Sequence, residues 1–325
     1  TLSAVGESRE PAAEGFDYAG AATLAAGVLA LVLGAGDLGN SSATDPAGIA
    51  LVTASGGLFV VFWAIEARRR DPIFDLGLFR ARPFLAGFVA AIVLDSSYWI
   101  IFLYFPIYFE AVNGYSALVT GLILLPLAAS FFVTEIVGGR LATRVTSRTL
   151  FASAMVVVAL GGVWLLFVGS GDPWTAFLGA FVLIGGGTGL YQAESTRISA
   201  GAAKPGHEGS AAGMNFTLRG LSFSVFFALF EVLFSQTVTT GFLGRVSGTP
   251  LAAYGPTLAP YVTTGSFSYA ASLLPSDVLR AAFYPIANAS LFQGIQLIVV
   301  FAIVGSLVGA ALCAWLLGRV PTVPR

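Results

Sequence analysis

The sequence has very few residues of the kinds that form disulfides, metal sites or a water-soluble surface. Its 325 residues include one cysteine, Cys313, and one histidine, His207, so an intramolecular disulfide and a cluster of thiol or imidazole metal ligands are excluded. Only 10% of the residues are charged and 56% are hydrophobic, whereas a soluble globule needs more polar surface to cover its core. We therefore predict an integral membrane protein with no metal and no other cofactor.

Long apolar runs predict an all-α membrane protein with eight spans. Two of these spans form a hairpin that starts near Phe84, turns at residues 113–116 and ends in basic residues from Arg140 onwards. The predicted divisions are a cytoplasmic linker at 1–17, two linker spans within 18–66, a cytoplasmic interfacial segment at 67–83, a six-helix bundle within 84–317 that includes a long extracytoplasmic loop at 236–287, and a cytoplasmic tail at 318–325.

The basic residues predict the orientation of these spans. If the N-terminus is cytoplasmic, only Arg245 and Arg280 of the 16 Lys and Arg residues fall on the outer side, and Arg219 lies within a span. All the others fall on the inner side, as the positive-inside rule requires. We therefore predict a protein of the plasma (cytoplasmic) membrane with both ends of this chain in the cytoplasm.

Ionisable residues inside the apolar runs are the first candidates for function. Asp95, Glu135, Glu231 and Arg219 all lie within spans, where a charge is costly and usually faces a bundle interior or a water-filled cavity. Burial disfavours the charged form of a carboxyl group, so Asp95 is the foremost proton-coupling candidate, followed by Glu135 and Glu231. A structural pairing that holds the bundle together is the alternative, chiefly for Glu110, Glu194 and Glu231, which lie near span ends.

Aromatic residues share the helix face of Asp95. Tyr98, Trp99 and Phe102 follow it at helical spacing, and rings beside a carboxylate suit an amphipathic or cationic organic molecule. Packing of the same rings on another helix or on lipid is the alternative. Further aromatic residues at predicted span ends are expected at the membrane interface, namely Trp63, Trp174 and Tyr191.

Two sets of glycines predict close helix packing. The run from Gly185 to Gly189 resembles a dinucleotide-binding loop only superficially, because no strand precedes it and it lies within an apolar span. Its small residues at four-residue spacing favour contact between helices instead. The same interpretation applies to Gly305 and Gly309 in the last span.

Several motifs together resemble one transporter family. The run GYSALVTGLILLP from Gly114 to Pro126, continued by GRLATR from Gly139 to Arg144, closely resembles the start of the C-terminal bundle in the fourteen-helix drug:proton antiporters of the major facilitator superfamily. The segment DPIFDLGLFR at 71–80 resembles the stretch that precedes that bundle. Further matches to the glycine-rich helix and the penultimate helix of the bundle are Gly185, Gly187, Gly189, Gly213, Asn215 and Arg219.

The resemblance implies a half-transporter whose partner is a missing N-terminal six-helix bundle. It further implies proton-coupled efflux of lipophilic small molecules by alternating access, in contact with membrane lipid and without nucleic acid or enzymatic chemistry. Asp95 would respond to protons, and the expected charge partners or gates are Arg219, Arg140 and Arg144. The expected substrate-cavity residues are Tyr98, Trp99, Phe102, Asn215 and Phe216.

Three other functions remain open on the sequence. A lipid or lipid-precursor exporter of the same architecture would suit the largely uncharged cavity face and the long outer loop. A half-subunit that does not transport, with a structural or regulatory role, is a second alternative. A membrane-embedded transferase is disfavoured, because it would need a cluster of His, Asp or Glu at one membrane face and the chain has one histidine.

Overall fold

The computed structural model describes residues 17–40, 44–68, 76–201 and 208–318, and within these ranges it contains helices and connections but no strand. Two short 3-10 helices span Leu76–Arg80 and Ala252–Tyr254. The α-helices are α1 (Tyr18–Asn40), α2 (Pro46–Glu66), α3 (Arg82–Ala111), α4 (Ala117–Leu141), α5 (Ser147–Phe167), α6 (Thr175–Gly201), α7 (Glu208–Val246), α8 (Gly255–Thr263), α9 (Phe267–Ser272) and α10 (Asp277–Leu317).

Eight helices of the described ranges are long and apolar enough to cross a membrane, namely α1 to α7 and α10. This finding confirms the prediction of an all-α membrane protein with eight spans. The terminal segments 1–16 and 319–325 and the loop residues Lys204 and His207 lie outside the described residues.

The predicted hairpin between α3 and α4 is present, and local sequence explains its turn. Gly114 has a φ of 67°, a left-handed conformation that glycine adopts without steric cost. Ser116 then caps α4, because its side chain accepts a hydrogen bond from the backbone N–H of Val119 at 3.4 Å.

Glycines place α6 deep between α4 and α5, as predicted. A Cβ on Gly185 would overlap the backbone carbonyl of Leu127 in α4, and one on Gly189 would overlap that of Phe131. On the opposite side, a Cβ on Gly187 would approach the carbonyl oxygen of Ala154 in α5 to 2.7 Å. The same prediction is wrong for Gly305, which has no atom within 4 Å of its Cβ position.

The predicted loop at 236–287 is largely helical, so its predicted extent is wrong. Helix α7 has 39 residues and α10 has 41, which at about 1.5 Å per residue makes both far longer than the roughly 30 Å hydrocarbon core. Their extended ends pack together, since the fully buried rings of Phe242 and Phe283 have centroids 5.9 Å apart. Arg245 of α7 also donates a hydrogen bond to Gln293 of α10 at 2.8 Å.

The extended helix ends, together with α8 and α9, form a small helical cap, which we define as residues 236–287. Its core includes Leu258 and Phe267. Gly265, with a φ of 72°, lies against Ile107 at the end of α3. Arg280 closes the cap, because it donates hydrogen bonds to the carbonyls of Ala271 and Leu274 at 3.0 to 3.2 Å.

The hairpin of α1 and α2 packs on α7. Ser55 of α2 donates a hydrogen bond to the carbonyl of Gly27 in α1 at 2.7 Å. The carbonyls at the end of α1 accept hydrogen bonds from α7, with Ser235 bonded to Gly39 and the amide of Gln236 bonded to Leu38 at 3.0 Å. These bonds satisfy carbonyls that a helix end otherwise leaves without partners.

The described part of the predicted interfacial segment joins a second, smaller core. Leu78 of the 3-10 helix is buried together with Phe84 of α3 and Met214 of α7. The residues from Arg69 to Asp75 lie outside the described ranges. The placement of this segment at the cytoplasmic surface therefore stays a prediction.

Candidate functional site

A buried ion pair joins α3 and α7. Nε of Arg219 lies 2.7 Å from Oδ2 of Asp95, and the two side chains are only 13% and 12% exposed. The hydroxyl of Tyr191 in α6 donates a hydrogen bond to the other carboxylate oxygen, Oδ1. Both oxygens of Asp95 are therefore held, each by a different helix of the bundle.

Arg219 makes three further interactions with α6 and with its own helix. Its Nη2 donates a hydrogen bond to the side-chain oxygen of Gln192 at 2.9 Å. The guanidinium lies 5.9 Å from the ring centroid of Tyr191 and 5.6 Å from that of Phe216, distances at which a cation is attracted to an aromatic face. The third nitrogen, Nη1, is buried and has no hydrogen-bond partner among the described residues.

Helix packing explains why these residues meet. The glycine contacts described above bring α6 against α4 and α5, and this position carries Tyr191 to Asp95. Removal of one partner of a buried ion pair leaves an uncompensated charge and typically costs roughly 3 to 5 kcal/mol. Loss of either partner alone would therefore destabilise the bundle.

The predicted aromatic face is present beside the ion pair. The Tyr98 and Phe102 rings are stacked, with centroids 6.3 Å apart, and Trp99 contacts Phe102 at 5.7 Å. Trp99 and Phe102 are 42% and 40% exposed, and Phe216 is 61% exposed. Asn215, in contrast, is buried. Trp99, Phe102 and Phe216 are thus exposed, whereas Asn215 lies inside the bundle. Tyr98 is half-buried, and its ring packs on Phe131 of α4 with centroids 5.2 Å apart.

The other two predicted carboxylates form no hydrogen bond or ion pair with Asp95 or Arg219 among the described residues. Glu231 accepts a hydrogen bond from the hydroxyl of Tyr104 at 2.8 Å, which links α7 to α3. Glu135 of α4 is half-buried and forms no ion pair within the described ranges. Arg140 and Arg144 are exposed, and neither forms an ion pair with a carboxylate in the part of the chain that the structure describes.

One buried carboxylate that was not predicted as a site joins α5 to α6. Glu194 is fully buried and accepts hydrogen bonds from Arg197 at 2.6 and 2.8 Å and from Ser147. This cluster matches the structural pairing that the sequence left open for Glu194. The described ranges contain no group of three or more His, Cys, Asp or Glu residues that could hold a metal.

Comparison with known proteins decides the family. The family model described as Major Facilitator Superfamily matches residues 15–227, which is most of the chain. The chain belongs to the major facilitator superfamily.

Relatives and a solved structure agree with this assignment. Multidrug resistance protein 3 of Bacillus subtilis is 25% identical over 249 residues, covering 74% of this chain and 48% of the relative. The dehydrocurvularin exporter of Alternaria cinerariae is 31% identical over 183 residues, covering 55% of this chain and 31% of the relative. The chain therefore spans about half or less of the length of these curated relatives.

The fold is also that of a solved major facilitator transporter. A bacterial homologue of the human lysosomal transporter Spinster, in an inward-facing and occupied conformation, superposes with a TM-score of 0.56 at 15% sequence identity. The match covers 91% of this chain and 66% of that one. At this identity the likeness concerns the fold alone.

Two residues of the ion-pair network were not predicted as site residues from the sequence. Tyr191 was predicted at the membrane interface, and this is wrong, because the side chain is fully buried and bonded to Asp95. Gln192 had no predicted role. Both lie within three residues of the end of the glycine run. Asp95 and Tyr191 are 96 residues apart in the sequence, so their contact leaves no local pattern.

Proposed function

We propose that this chain is the C-terminal part of a fourteen-helix drug:proton antiporter. In this proposal α1 and α2 are the two linker helices, α3 to α7 and α10 form the C-terminal bundle, and an N-terminal six-helix bundle completes the transporter. Transport by alternating access exports amphipathic or cationic organic compounds in exchange for protons. The similarity to a multidrug resistance protein and to an exporter supports efflux as the direction of transport.

The observation that carries the proposal is the place of the Asp95 ion pair next to an exposed aromatic surface. A carboxylate enclosed by three helices can take up and release a proton, and Trp99, Phe102 and Phe216 offer flat apolar faces to a lipophilic cation. Charge on Asp95 favours the state in which Arg219 stays paired. Protonation removes that preference and shifts the balance between conformations, since a proton moves a population only through its differential affinity for the two states.

The proposed location is the plasma membrane with both ends of this chain in the cytoplasm. The one-sided distribution of basic residues supports it. In this orientation the helical cap lies on the outer side, and the exposed Arg140 and Arg144 lie on the inner side, where they remain candidates for a gate.

The test is a transport assay on the full-length protein in proteoliposomes with an imposed pH gradient, using ethidium and tetraphenylphosphonium as substrates. We expect Asp95→Asn to reduce gradient-driven efflux at least about tenfold, as loss of an essential proton carrier does. Glu110→Gln is the matched control, because Glu110 is an exposed carboxylate at the end of α3 and should leave efflux unchanged. Full proton-driven efflux by Asp95→Asn at equal protein levels would contradict the assignment.

A lipid exporter of the same fold is the second candidate, and the cap favours it. The only charged residues of the cap are Arg245, Asp277 and Arg280, and the last two pair with each other at 2.9 Å. A cap with so little charge suits an apolar cargo that leaves through the outer leaflet. If fluorescent phospholipid, rather than a lipophilic cation, moves in the same proteoliposomes and competes for transport, this second function replaces the first.

A further inference from the structure

The buried guanidinium of Arg219 has a nitrogen whose hydrogen-bond donors lack an acceptor among the described residues. Two of its three guanidinium nitrogens are engaged, Nε by Asp95 and Nη2 by Gln192. The third, Nη1, is buried and has no partner among the described residues. A buried donor without an acceptor loses its hydration with no compensation, so an additional acceptor for this nitrogen in another state of the protein would be favourable.

A second carboxylate lies on the helix that flanks this network. The residues of α4 that follow Glu135 by one helical turn pack tightly on α6, since a Cβ on Gly138 would overlap the carbonyl of Leu190 and one on Gly139 would lie 3.6 Å from Ala193. Gln192, which holds Arg219, lies between these two contact residues. Glu135 therefore lies at the level of the guanidinium, on the adjacent helix.

The charges around Arg219 single out Glu135. The titratable groups that face Arg219 are Asp95 on α3, Tyr191 on α6 and Glu135 on α4, and all three interact with it electrostatically. Glu135 is half-buried and, among the described residues, no ion pair or hydrogen bond engages its carboxylate. Of these three groups, it is thus the one free to accept a cation.

We propose that Arg219 has two carboxylate positions, Asp95 in the state seen here and Glu135 when Asp95 is protonated. When Asp95 gains a proton, Arg219 loses its counter-charge in a low-dielectric interior, and an unpaired buried charge is strongly unfavourable. A turn of the long side chain toward α4 brings Nη1 to Glu135 while Nη2 can keep Gln192. The exchange would tie protonation on α3 to a new bond between α7 and α4.

The role of this exchange in transport rests on the proposed function, whereas the pairing itself does not. Its test is therefore thermal unfolding of the purified full-length protein, which needs no transport. The variants are Asp95→Asn, Glu135→Gln and the combination of the two. Asp95→Asn together with Glu110→Gln is the matched control, since it removes the same number of carboxylates.

We expect the melting temperature of the combined Asp95→Asn and Glu135→Gln variant to fall by roughly 2 °C or more beyond the sum of the decreases in the two single variants. The reason is that Arg219 can turn to either carboxylate when one is neutral but has none when both are. The control combination should be additive. Additive losses in the Asp95 and Glu135 combination would overturn the proposal.

A combined variant that fails to fold still gives a result. Addition of Arg219→Gln removes the unpaired charge, so the triple variant should fold and melt higher than the combination of two. Failure of the triple variant to recover would show that Arg219 is not the source of the loss, and the proposal would be wrong.

Transport measurements distinguish a failure of the two-position exchange from a failure of the proposed function. In proteoliposomes, Glu135→Gln should move the pH midpoint of cation efflux to lower pH, because the protonated form of Asp95 loses its stabilising alternative, whereas Glu110→Gln should not. An unchanged midpoint would overturn the two-position exchange while leaving proton-coupled efflux intact. If the wild-type protein shows no gradient-driven efflux, the proposed function fails, and the unfolding experiment still judges the pairing.

Discussion

The contact of α6 with α4 predicts that two glycine-to-alanine substitutions change the free energy of unfolding in opposite directions. Gly189→Ala adds a Cβ that would overlap the carbonyl oxygen of Phe131 and the hydroxyl of Thr134. The carbonyl belongs to the α4 backbone and cannot turn away, so the two helices must separate. Gly305→Ala adds the same methyl group within α10, where no atom lies within 4 Å.

The magnitudes follow from two opposing terms. Alanine is preferred to glycine inside a helix by roughly 0.5 to 1 kcal/mol, and this gain applies at both positions. Overpacking costs roughly 1 to 3 kcal/mol and applies only at Gly189. We therefore expect Gly189→Ala to lower the free energy of unfolding by up to about 2 kcal/mol and Gly305→Ala to raise it by up to about 1 kcal/mol.

The assay is thermal unfolding of the purified full-length protein in detergent, with the two variants compared under identical conditions. A change of 1 kcal/mol shifts the melting temperature by roughly 2 to 4 °C in chains of about 150 to 250 residues and by less in longer ones. Gly189→Ala should melt below the wild type and Gly305→Ala at or above it. A Gly189→Ala variant that melts as high as Gly305→Ala would refute the close contact between α6 and α4.

Two further predictions test the network and the cap. Tyr191→Phe removes the hydroxyl that donates a hydrogen bond to the ionised carboxylate of Asp95. Since that bond favours the charged form of Asp95, we expect the pH midpoint of efflux to move to higher pH, opposite to the effect of Glu135→Gln. An unchanged midpoint in a pH series with proteoliposomes would contradict this role of the bond. Arg280→Ala removes hydrogen bonds to the carbonyls of Ala271 and Leu274, which should destabilise the cap by roughly 1 to 3 kcal/mol and speed its proteolysis. Asp277→Ala is the control, because its side chain is exposed and its loss should have little effect. Equal cleavage of the two variants would contradict the role of Arg280.

The sequence by itself determined the class of protein and the number of its spans. Eight runs of apolar residues need a bilayer, because no soluble fold has the polar surface to cover them. The turn between α3 and α4 was also readable, since Gly114 and Ser116 act on their immediate neighbours. These features depend on composition and on contacts within a few residues along the chain.

Only the tertiary structure decided which charges meet. Asp95 and Arg219 are 124 residues apart, and nothing local to either position indicates that α6 would bring Tyr191 to Asp95 and Gln192 to Arg219. The helical cap was missed for the same reason. Polar residues such as Gln236 resemble a loop until the bond from Arg245 to Gln293 and the buried Phe242 and Phe283 join α7 to α10. Long-range packing satisfies groups that the local sequence leaves without partners, and it therefore decides the site.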